Sequence, residues 1–533
     1  MAAALPNAAG SSLAPVMTNT EIRPSLSASS AAAITERAPT RRGPLSRTRA
    51  LTAEALAVAD RPTPAPISPI VLAGFVRMGE FALVVLIGLA LYAAYLPTMD
   101  GLIWRYLGAT LGIAVLSTLA FQAADIYQVQ AFRGYEKQYM RLASAWSVVF
   151  LIVIGASFFA KAGDMFSRVW LGAYYLAGLA ALIISRRLVF LLVRKWTLEG
   201  RLNRRTVIVG AGDPGAGVIE ELRRQRDTGV DIIGLFDDRG DDRSSADCAG
   251  ERKLGTVDDL VEFGRRTRVD LVIFSLPISA ESRILQMLKK LWVLPVDIRL
   301  AAHANKLRFR PRSYSYIGSV PVLDVFDRPI ADWDVVMKWL FDKIIGGMML
   351  LLALPAMAII AIAIKLDSRG PVLFKQKRYG FNNDLIEVYK FRSMYADAAD
   401  ITADRLVSKD DPRVTRVGRI IRKASLDELP QLFNVVLKGN LSLVGPRPHA
   451  VNAKAEARLY DEAVDGYFAR HRVKPGITGW AQINGWRGET DTHEKIQKRV
   501  EHDLYYIENW SVMFDLFILA HTPVALLKTE NAY

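Results

Sequence analysis

Two adjacent carboxylates stand in the stretch of sequence best suited to chemistry, Arg422-Lys-Ala-Ser-Leu-Asp427-Glu428-Leu-Pro430. Proline is favoured in the first turn of a helix, so Asp427 and Glu428 are predicted at or just before a helix N-terminus. Free N–H groups and the helix dipole attract phosphate to such a position, and Arg422 adds positive charge. The alternative is an ordinary capping box formed by Ser425 and Glu428.

Three further segments carry basic side chains on rigid backbones: Tyr389-Lys390-Phe391-Arg392, Val444-Gly445-Pro446-Arg447-Pro448 and Lys474-Pro475-Gly476, the last running on to Gln482. Proline and glycine restrict such loops to tight turns, and arginine grips two phosphate oxygens through its planar fork. The pattern suits a diphosphate. We therefore predict that Lys390, Arg392, Lys474 and Gln482 bind substrate.

Together and in this order, these motifs resemble those of the monotopic phosphoglycosyl transferases, also called bacterial sugar transferases. The resemblance to their catalytic module runs from about Trp333 to the C-terminus. The layout before it resembles the large members, which have four membrane helices and then a Rossmann-like domain. It implies an enzyme that starts assembly of an exopolysaccharide or capsule repeat unit, and it suggests a homodimer.

The resemblance also implies roles for individual residues. Asp427 is expected to attack the sugar-bearing phosphate of a UDP-hexose, so that UMP leaves and undecaprenyl phosphate then takes the phosphosugar from the aspartate. Glu428 is expected to help hold Mg²⁺, and Arg422 to meet the lipid phosphate. Pro446, Arg447 and Pro448 match a loop near the nucleotide. The donor sugar is expected to be glucose, with galactose as the alternative.

Simple electrostatics agrees with these implied roles. A carboxylate nucleophile can split one difficult step into two easier ones. An anionic phosphate would repel an unshielded carboxylate, whereas Mg²⁺ and nearby arginine or lysine offset that repulsion. Mg²⁺ prefers oxygen ligands and retains several waters, so one or two carboxylates suffice to hold it.

A second candidate site is a glycine turn, Gly210-Ala211-Gly212-Asp213-Pro214-Gly215, which follows a predicted strand at Thr206–Val209. Such a G-x-G-x-x-G turn indicates dinucleotide binding, and Asp237 and Asp238 close the next predicted strand, where they could touch a ribose. Pro214, however, would distort the helix start. We favour a structural, regulatory or dimerising role for this domain over bound NAD.

Two competing functions use the glycine turn. A membrane-linked nucleotide-sugar epimerase or dehydratase would carry Tyr-x-x-x-Lys at its active site, and no such motif follows at suitable spacing in the α/β region. A sensor or scaffold of polysaccharide synthesis would bind a nucleotide there and would not need Asp427.

Four apolar stretches are predicted to anchor these sites at a membrane. They lie near Ile70–Leu96, Leu102–Ala123, Leu142–Ala160 and Val169–Val193. Each is long enough to cross a hydrocarbon core of about 30 Å. Arg77 and Glu80 suggest that the first span begins around Phe81. Lysine and arginine are concentrated before the first stretch, between the second and third, and after the fourth, so both ends of the unit are predicted on the cytoplasmic side.

A fifth apolar run, Ile344–Ile364, has basic residues on both sides and Pro355 near its middle. The positive-inside rule places both of its ends in the cytoplasm, and proline favours a kink. In the family resemblance, Pro355 matches the proline that kinks a re-entrant helix. We therefore predict a re-entrant helix over residues 338–366, with an ordinary fifth span as the alternative.

The predicted fold is thus a membrane α-helical bundle, a Rossmann-like α/β domain and an α+β catalytic domain with a re-entrant helix. The domains are a disordered tail over 1–65, the membrane helices over 66–200, the α/β domain over 201–325 and the catalytic domain over 326–533. The single cysteine fits a reducing cytoplasm. The net charge of +14 suggests contact with anionic membrane lipid, phosphate or nucleotide. No nucleic-acid partner is expected, because the sequence has no basic recognition helix and no zinc-ligand spacing. The protein is expected in the bacterial inner membrane, with its catalytic domain in the cytoplasm.

Overall fold

The computed structural model describes the chain from residue 50 onward, with gaps. The described residues are 50–96, 103–127, 136–162, 165–225, 228–239, 247–277, 280–302, 315–396, 411–449, 454–455, 458–459, 464, 466–486, 488 and 492–527.

The end of the predicted tail forms a helix, so the boundary at residue 65 is wrong. Helix α1, Ala53–Ala59, begins at Thr52, whose hydroxyl accepts a hydrogen bond from the Ala55 N–H. Leu51, Ala55 and Ala59 recur every four residues and are buried in the core of the α/β domain. Residues 1–49 lie outside the described part. The sequence analysis missed this helix because its buried side chains, Ala55 and Ala59, are small and few.

Four long apolar helices follow, as predicted, with bounds α2 Pro69–Tyr95, α3 Ile103–Ala123, α4 Glu136–Phe159 and α5 Arg168–Leu198. By length and composition they can cross a membrane. The buried residues of α2 recur every four positions from Leu72 to Gly88, the spacing of one helix face. The remaining faces expose large apolar side chains, as expected for helices surrounded by lipid.

That the first membrane span begins around Phe81 stays a prediction, but Glu80 does not lie at a helix start. Helix α2 begins eleven residues earlier, and Glu80 is 1% exposed. Its carboxylate pairs with Arg186 on α5, with the Nε of Arg186 2.6 Å from Oε1. A paired charge can enter a helix bundle that would exclude an unpaired one. The two charges therefore join α2 to α5 and do not mark a helix end.

The α/β domain is built on one twisted sheet whose strands, within the described residues, are β1 Arg204–Val209, β2 Val230–Phe236, β3 Asp247–Cys248, β4 Glu251–Gly255, β5 Leu271–Phe274, β6 Asp297–Ala301, β7 Ser315–Ile317 and β8 Val320–Phe326. Its helices are α6 Asp213–Arg224, α7 Val257–Arg266 and α8 Glu281–Leu291. The strand order is β3-β4-β2-β1-β5-β6-β8-β7.

The parallel sheet predicted from sequence forms the centre of this domain, where β4, β2, β1, β5 and β6 run parallel. The predicted strand at Thr206–Val209 lies within β1. Both edges are antiparallel, with β3 on one side and the β7–β8 hairpin on the other. The sheet is therefore mixed.

The catalytic part begins with one long helix, α9 Asp332–Asp367. The elements after it are β9 Leu373–Tyr379, β10 Leu385–Phe391, α10 Arg416–Lys423, a 3₁₀ turn Leu426–Glu428, α11 Gln431–Phe433 with a π-turn Asn434–Lys438, β11 Ser442–Val444, the short pair β12 Lys454–Ala455 and β13 Arg458–Leu459, a 3₁₀ helix Tyr467–Arg472, β14 Gly476–Thr478, α12 Trp480–Ile483, α13 His493–Glu508 and α14 Val512–Leu527.

Helix α9 is continuous for 36 residues, with Pro355 inside it. Its first half is bound to the catalytic domain by polar contacts: Asp342 accepts from the Ser442 hydroxyl at 2.9 Å and from the Leu443 N–H at 3.0 Å. Its second half buries Ile360 and Ile364 against Phe391 and its neighbours. Both halves thus pack against the same domain.

Candidate active site

The paired carboxylates lie on a tight turn between two helical segments. Helix α10 is capped by Thr415, and Ser425 then adopts a left-handed conformation with φ 56°. The 3₁₀ turn that carries Asp427 and Glu428 starts there and leads into α11, with Pro430 immediately before that helix. A left-handed non-glycine residue is costly and often accompanies a functional site. Here it reverses the chain, which brings both carboxylates against the β9–β10 hairpin.

The capping-box interpretation is wrong. The Ser425 side chain makes no capping hydrogen bond at this turn. The Glu428 carboxylate points away from the backbone and accepts from two cations, Lys390 Nζ at 2.8 Å and Arg447 Nη2 at 2.7 Å, both at Oε1. Oε2 has one long contact, 3.4 Å from Arg447 Nη1.

The hairpin delivers Lys390 because strand side chains alternate between two faces. Val388 pairs with Gln376 and Lys390 with Phe374, so Val388 and Lys390 lie on the face that carries Gln376 and Arg378. Lys375, Lys377 and Glu387, which lie on the opposite face, are exposed. The face toward Glu428 is therefore both basic and half-buried.

Asp427 differs sharply from its neighbour. It is half-buried, and its carboxylate has no hydrogen bond or ion pair with any residue that the structure describes. Burial raises the pKa of Asp427 above its usual range, and the negative charge of Glu428 acts in the same direction. Lys390, Arg422 and Arg447 lower that pKa again, and the net shift is upward. Asp427 is thus an uncommitted carboxylate beside a cluster of positive charge.

Glu428 is held as an anion. Burial alone would raise the pKa of its carboxyl, but Arg447, Lys390 and Arg378 together hold it well below the usual range. In return Glu428 raises the pKa of Arg447. Burial lowers the pKa of Lys390, an effect that Glu428 partly offsets. The two adjacent carboxyl groups therefore have pKa values shifted in opposite directions, as expected when two acids share a site but differ in role.

Two residues of this cluster were missed by the sequence analysis. Arg378 donates to the carbonyl oxygen of Pro448 and, at 2.8 Å, to Gln376, while burial lowers its pKa to about 10. Gln431, one turn after Asp427, lines the same small pocket as Glu428, Arg447 and Arg378. The sequence analysis predicted no hairpin here, so the face that Arg378 shares with Gln376 and Lys390 became visible only in the strand pairing.

The two glycine-proline loops meet, as their shared role in one site requires. Strand β11 pairs in parallel with β14, and the Gly476 N–H donates to the Pro446 carbonyl oxygen at 2.9 Å. A side chain at Gly445 would collide with the Lys474 carbonyl oxygen, 2.6 Å away. The glycines therefore allow the two backbones to touch, and this contact fixes the loop that carries Arg447 and Pro448.

The structure does not place every predicted binding residue beside Glu428, and Arg392 is a correction. Arg392 is 4% exposed, and its guanidinium donates to the carbonyl oxygens of Ser368, at 2.7 Å, and Arg369, at 2.8 Å. It caps the C-terminal end of α9, where free carbonyls need donors. It has no donor group directed at the carboxylates.

Lys474 lies in the second loop, and Gln482 lies in α12, which follows that loop. The exposed ammonium of Lys474 donates to the Gly439 carbonyl oxygen at 2.7 Å. Gln482 is buried, and its amide oxygen has no hydrogen-bond partner among the described residues. Gln482 therefore stays a candidate ligand, whereas the contact of Lys474 is structural.

A magnesium site here would be small. The described residues contain no cluster of three or more metal-ligating side chains. Asp427 and Glu428 supply oxygen donors on adjacent residues, with Asp427 uncommitted and Glu428 Oε2 only weakly engaged. Mg²⁺ commonly binds one or two carboxylates and completes its shell with waters and substrate phosphates. The donor set fits that pattern.

The glycine turn of the α/β domain is occupied by side chains of the domain itself. The Ala211 N–H donates to Asp237 Oδ2 at 2.6 Å, and Arg239 pairs with the same carboxylate, with Nη2 2.9 Å from Oδ2. The Arg239 guanidinium also reaches the Ala211 carbonyl oxygen, at 3.3 Å, and lies beside Gly212. The Ala211 amide is therefore already bonded, and the Arg239 guanidinium occupies the space beside Gly212.

Comparisons with known proteins agree with this geometry. The family described as bacterial sugar transferase matches residues 333–529, and a CoA-binding domain family matches residues 122–302. The undecaprenyl-phosphate glucose phosphotransferase of Komagataeibacter xylinus is 40% identical over 363 residues, 66% of this chain and 65% of the relative. The chain thus spans just under two thirds of that relative's length.

Two further relatives share more of their own length with this chain. The UDP-glucose:undecaprenyl-phosphate glucose-1-phosphate transferase of Xanthomonas campestris pv. campestris is 35% identical over 78% of this chain and 86% of the relative. The undecaprenyl-phosphate galactose phosphotransferase of Salmonella typhimurium is 30% identical over 63% of this chain and 70% of the relative. With its apolar helices and its paired carboxylates, the chain therefore belongs to the bacterial sugar transferase family and is a membrane transferase.

Proposed function

We propose that this protein transfers glucose-1-phosphate from UDP-glucose to undecaprenyl phosphate and releases UMP, the first membrane step in building an exopolysaccharide. The observation that carries the proposal is the contrast between an uncommitted Asp427 and a doubly paired Glu428 on one turn. Relatives named for this reaction share most of their length with the chain.

The first step uses Asp427 as the nucleophile. A carboxylate oxygen attacks the sugar-bearing phosphorus of the donor, the bond from that phosphorus to the bridging oxygen breaks, and UMP leaves with the bonding electrons. The product is an aspartyl phosphosugar. Because no hydrogen bond from another described residue must be broken, Asp427 is ready to attack without rearrangement.

The second step regenerates the aspartate. A phosphate oxygen of the lipid attacks the same phosphorus, the acyl phosphate bond breaks, and Asp427 leaves as a carboxylate while the lipid diphosphosugar forms. Arg422 is half-buried and lies just before the turn, where its positive charge lowers the pKa of Asp427. It is the residue proposed to meet the lipid phosphate.

The basic cluster supports both steps by stabilising charge on the diphosphate. Arg447, Lys390 and Arg378 surround Glu428, and their positive charge exceeds its single negative charge. We propose that Glu428 helps to hold Mg²⁺, which would add positive charge to the phosphate groups when bound. Gln482, whose amide oxygen lacks a partner among the described residues, is proposed to bind the donor.

One assay tests the reaction. Purified protein in detergent is given UDP-glucose, undecaprenyl phosphate and Mg²⁺, and UMP release is measured beside the Asp427→Asn variant as the matched control. UMP release by the wild type alone supports the proposal, and a preference for UDP-galactose would change only the sugar. Release of UDP would indicate direct glycosyl transfer. No release of UMP from either the wild type or the variant would favour a scaffold role.

We propose further that α9 enters and leaves the membrane on the cytoplasmic side of the inner membrane. Packing of both its halves on one domain supports this, because a helix that crossed would separate its ends. The test places single cysteines at Asp334 and at Ser368 in a Cys248→Ser background. Labelling of both from the cytoplasmic side supports re-entry, and labelling from opposite sides contradicts it. The homodimer expected from the family is tested by light scattering in detergent.

A further inference from the structure

A buried arginine lies directly behind the loop that carries Arg447. Arg470 belongs to the 3₁₀ helix Tyr467–Arg472, and it is 1% exposed. Its Nη2 atom donates to the Arg447 carbonyl oxygen at 2.6 Å and lies 2.7 Å from Asp503 Oδ2 on α13. One guanidinium nitrogen thus joins a backbone carbonyl of the active-site loop to a buried carboxylate.

The same guanidinium is fixed on its other side. Arg470 Nη1 lies 2.6 Å from His449 Nδ1, and the Tyr467 hydroxyl lies 2.8 Å from that nitrogen. Burial, with the positive charges of Arg470 and Arg499, lowers the pKa of His449 well below its usual range. His449 is therefore neutral, and it adds no charge to compete with Arg470 for Asp503.

The geometry requires an arginine. Its planar fork points donors in fixed directions, whereas lysine presents a single charged nitrogen on a flexible stem. Burying a cation is costly unless it is paired and hydrogen-bonded, so this arrangement needs a reason to exist. Holding the Arg447 backbone provides one, because the Arg447 side chain, on the same residue, must reach Glu428 at 2.7 Å.

We infer that Arg470, anchored by Asp503, is a positioning residue for the transfer reaction: it holds the Arg447 backbone so that the Arg447 guanidinium stays on Glu428. The inference rests on the proposed function. Arg470 itself has no hydrogen bond or ion pair with Asp427 or Glu428.

The test is a double-mutant cycle on UMP release by the full-length protein in detergent. Arg470→Lys keeps the positive charge but loses the fork, and its kcat is expected to fall at least tenfold while the KM for UDP-glucose changes less than threefold, roughly the scale of coupled neighbours. Adding Arg470→Lys to Arg447→Lys is expected to lower kcat by less than about threefold, because the contact that Arg470 serves is already impaired.

Arg392→Lys is the matched control, since Arg392 is also a buried arginine bonded to carbonyl oxygens but lies at the end of α9. Whatever loss it causes should multiply with that of Arg447→Lys. If the losses from Arg470→Lys and Arg447→Lys multiply in the same way, the inference is overturned. Should Arg470→Lys fail to fold, Asp503→Asn, which keeps the arginine but releases its anchor, takes its place in the cycle.

A second cycle without substrate separates this inference from the proposed reaction. Arg470 and Glu428 do not touch, so their effects on Tm should add unless Arg447 links them. We expect Arg470→Lys to lower Tm less in a Glu428→Gln background than in the wild type. If the wild type released no UMP, the proposed function would fail while this cycle still decided the positioning role, and additive Tm changes would overturn it.

Discussion

At the scale of single residues, the site depends on one carboxylate that has no hydrogen bond or ion pair among the described residues. Asp427 has its pKa raised by burial and by Glu428, so its ionised form is disfavoured in the folded protein relative to the unfolded chain. A group of this kind lowers stability at any pH above its folded pKa. Such a cost is expected where a nucleophile must stay available.

Asp427→Asn should therefore abolish activity and raise stability together. We expect UMP release to fall about a thousandfold or more, because an amide cannot form the acyl phosphate. At pH 7.5 the Tm should rise, because the amide removes a disfavoured charge. The rise should shrink as the pH is lowered toward 3.8, the ordinary pKa of aspartate. Tm measured by differential scanning fluorimetry across pH checks this, and a lower Tm at pH 7.5 would refute it.

The pH dependence of the reaction should report Asp427 and not Glu428. The pKa of Glu428 is held well below its usual range, so Glu428 is already ionised at the pH at which Asp427 titrates. Asp427 must be ionised to attack, so kcat should be full above its raised pKa and lost as the pH falls through it. The acidic limb of the kcat profile should lie above 3.8. Arg447→Gln, which removes the positive charge, should move the limb to higher pH, because Arg447 favours the ionised aspartate. An unmoved limb would assign it to another group.

At the scale of elements, the sequence was most informative where composition dictates structure. Long apolar runs predicted α2, α3 and α5 to within a few residues at most of their ends, because a membrane span needs a minimum apolar length. Helix α1 escaped notice, since its buried face is only Leu51, Ala55 and Ala59. The antiparallel edges of the sheet were also missed, because strand direction depends on long-range pairing.

The candidate site was likewise predicted only in part. Asp427, Glu428, Lys390 and Arg447 were predicted from their motifs, and the structure brings them together. Arg392 follows Lys390 by two residues and looked equivalent, yet its side chain caps α9, a contact that no local pattern reveals. Arg470 was missed for a similar reason, because its partners come from one loop and one helix that are far apart in sequence.

The glycine turn should not bind a dinucleotide or coenzyme A. Its Ala211 amide is bonded to Asp237, and Arg239 lies beside Gly212, where a diphosphate would need to approach. We expect neither NAD nor coenzyme A at 1 mM, about a typical saturating concentration, to change the Tm. UDP-glucose with Mg²⁺ serves as the positive control and should raise it. A concentration-dependent rise with either cofactor would contradict the prediction.

At the scale of the whole molecule, the α/β domain contacts the catalytic part at the elements behind the active site. Asn382, in the turn of the β9–β10 hairpin, donates to the Gly264 carbonyl oxygen of α7 at 2.9 Å. The Arg265 guanidinium lies 4.9 Å from the centre of the Phe468 ring, on the 3₁₀ helix that carries Arg470. Trp292, after α8, packs at Gly466, where that helix begins. The 3₁₀ helix is thus held between the α/β domain and α13.

This placement predicts that a surface of the α/β domain affects catalysis without touching substrate. Arg265→Ala removes the cation–π contact, worth about 1 kcal/mol, and should loosen the 3₁₀ helix that presents Arg470. We expect kcat for UMP release to fall about two- to fivefold, in line with that contact energy, with little change in KM. Arg266→Ala is the matched control, because the neighbouring Arg266 is exposed and, within the part of the chain that the structure describes, pairs only with Glu262 on its own helix. Equal kcat values for the two variants would show that the α/β domain does not support the active site through this contact.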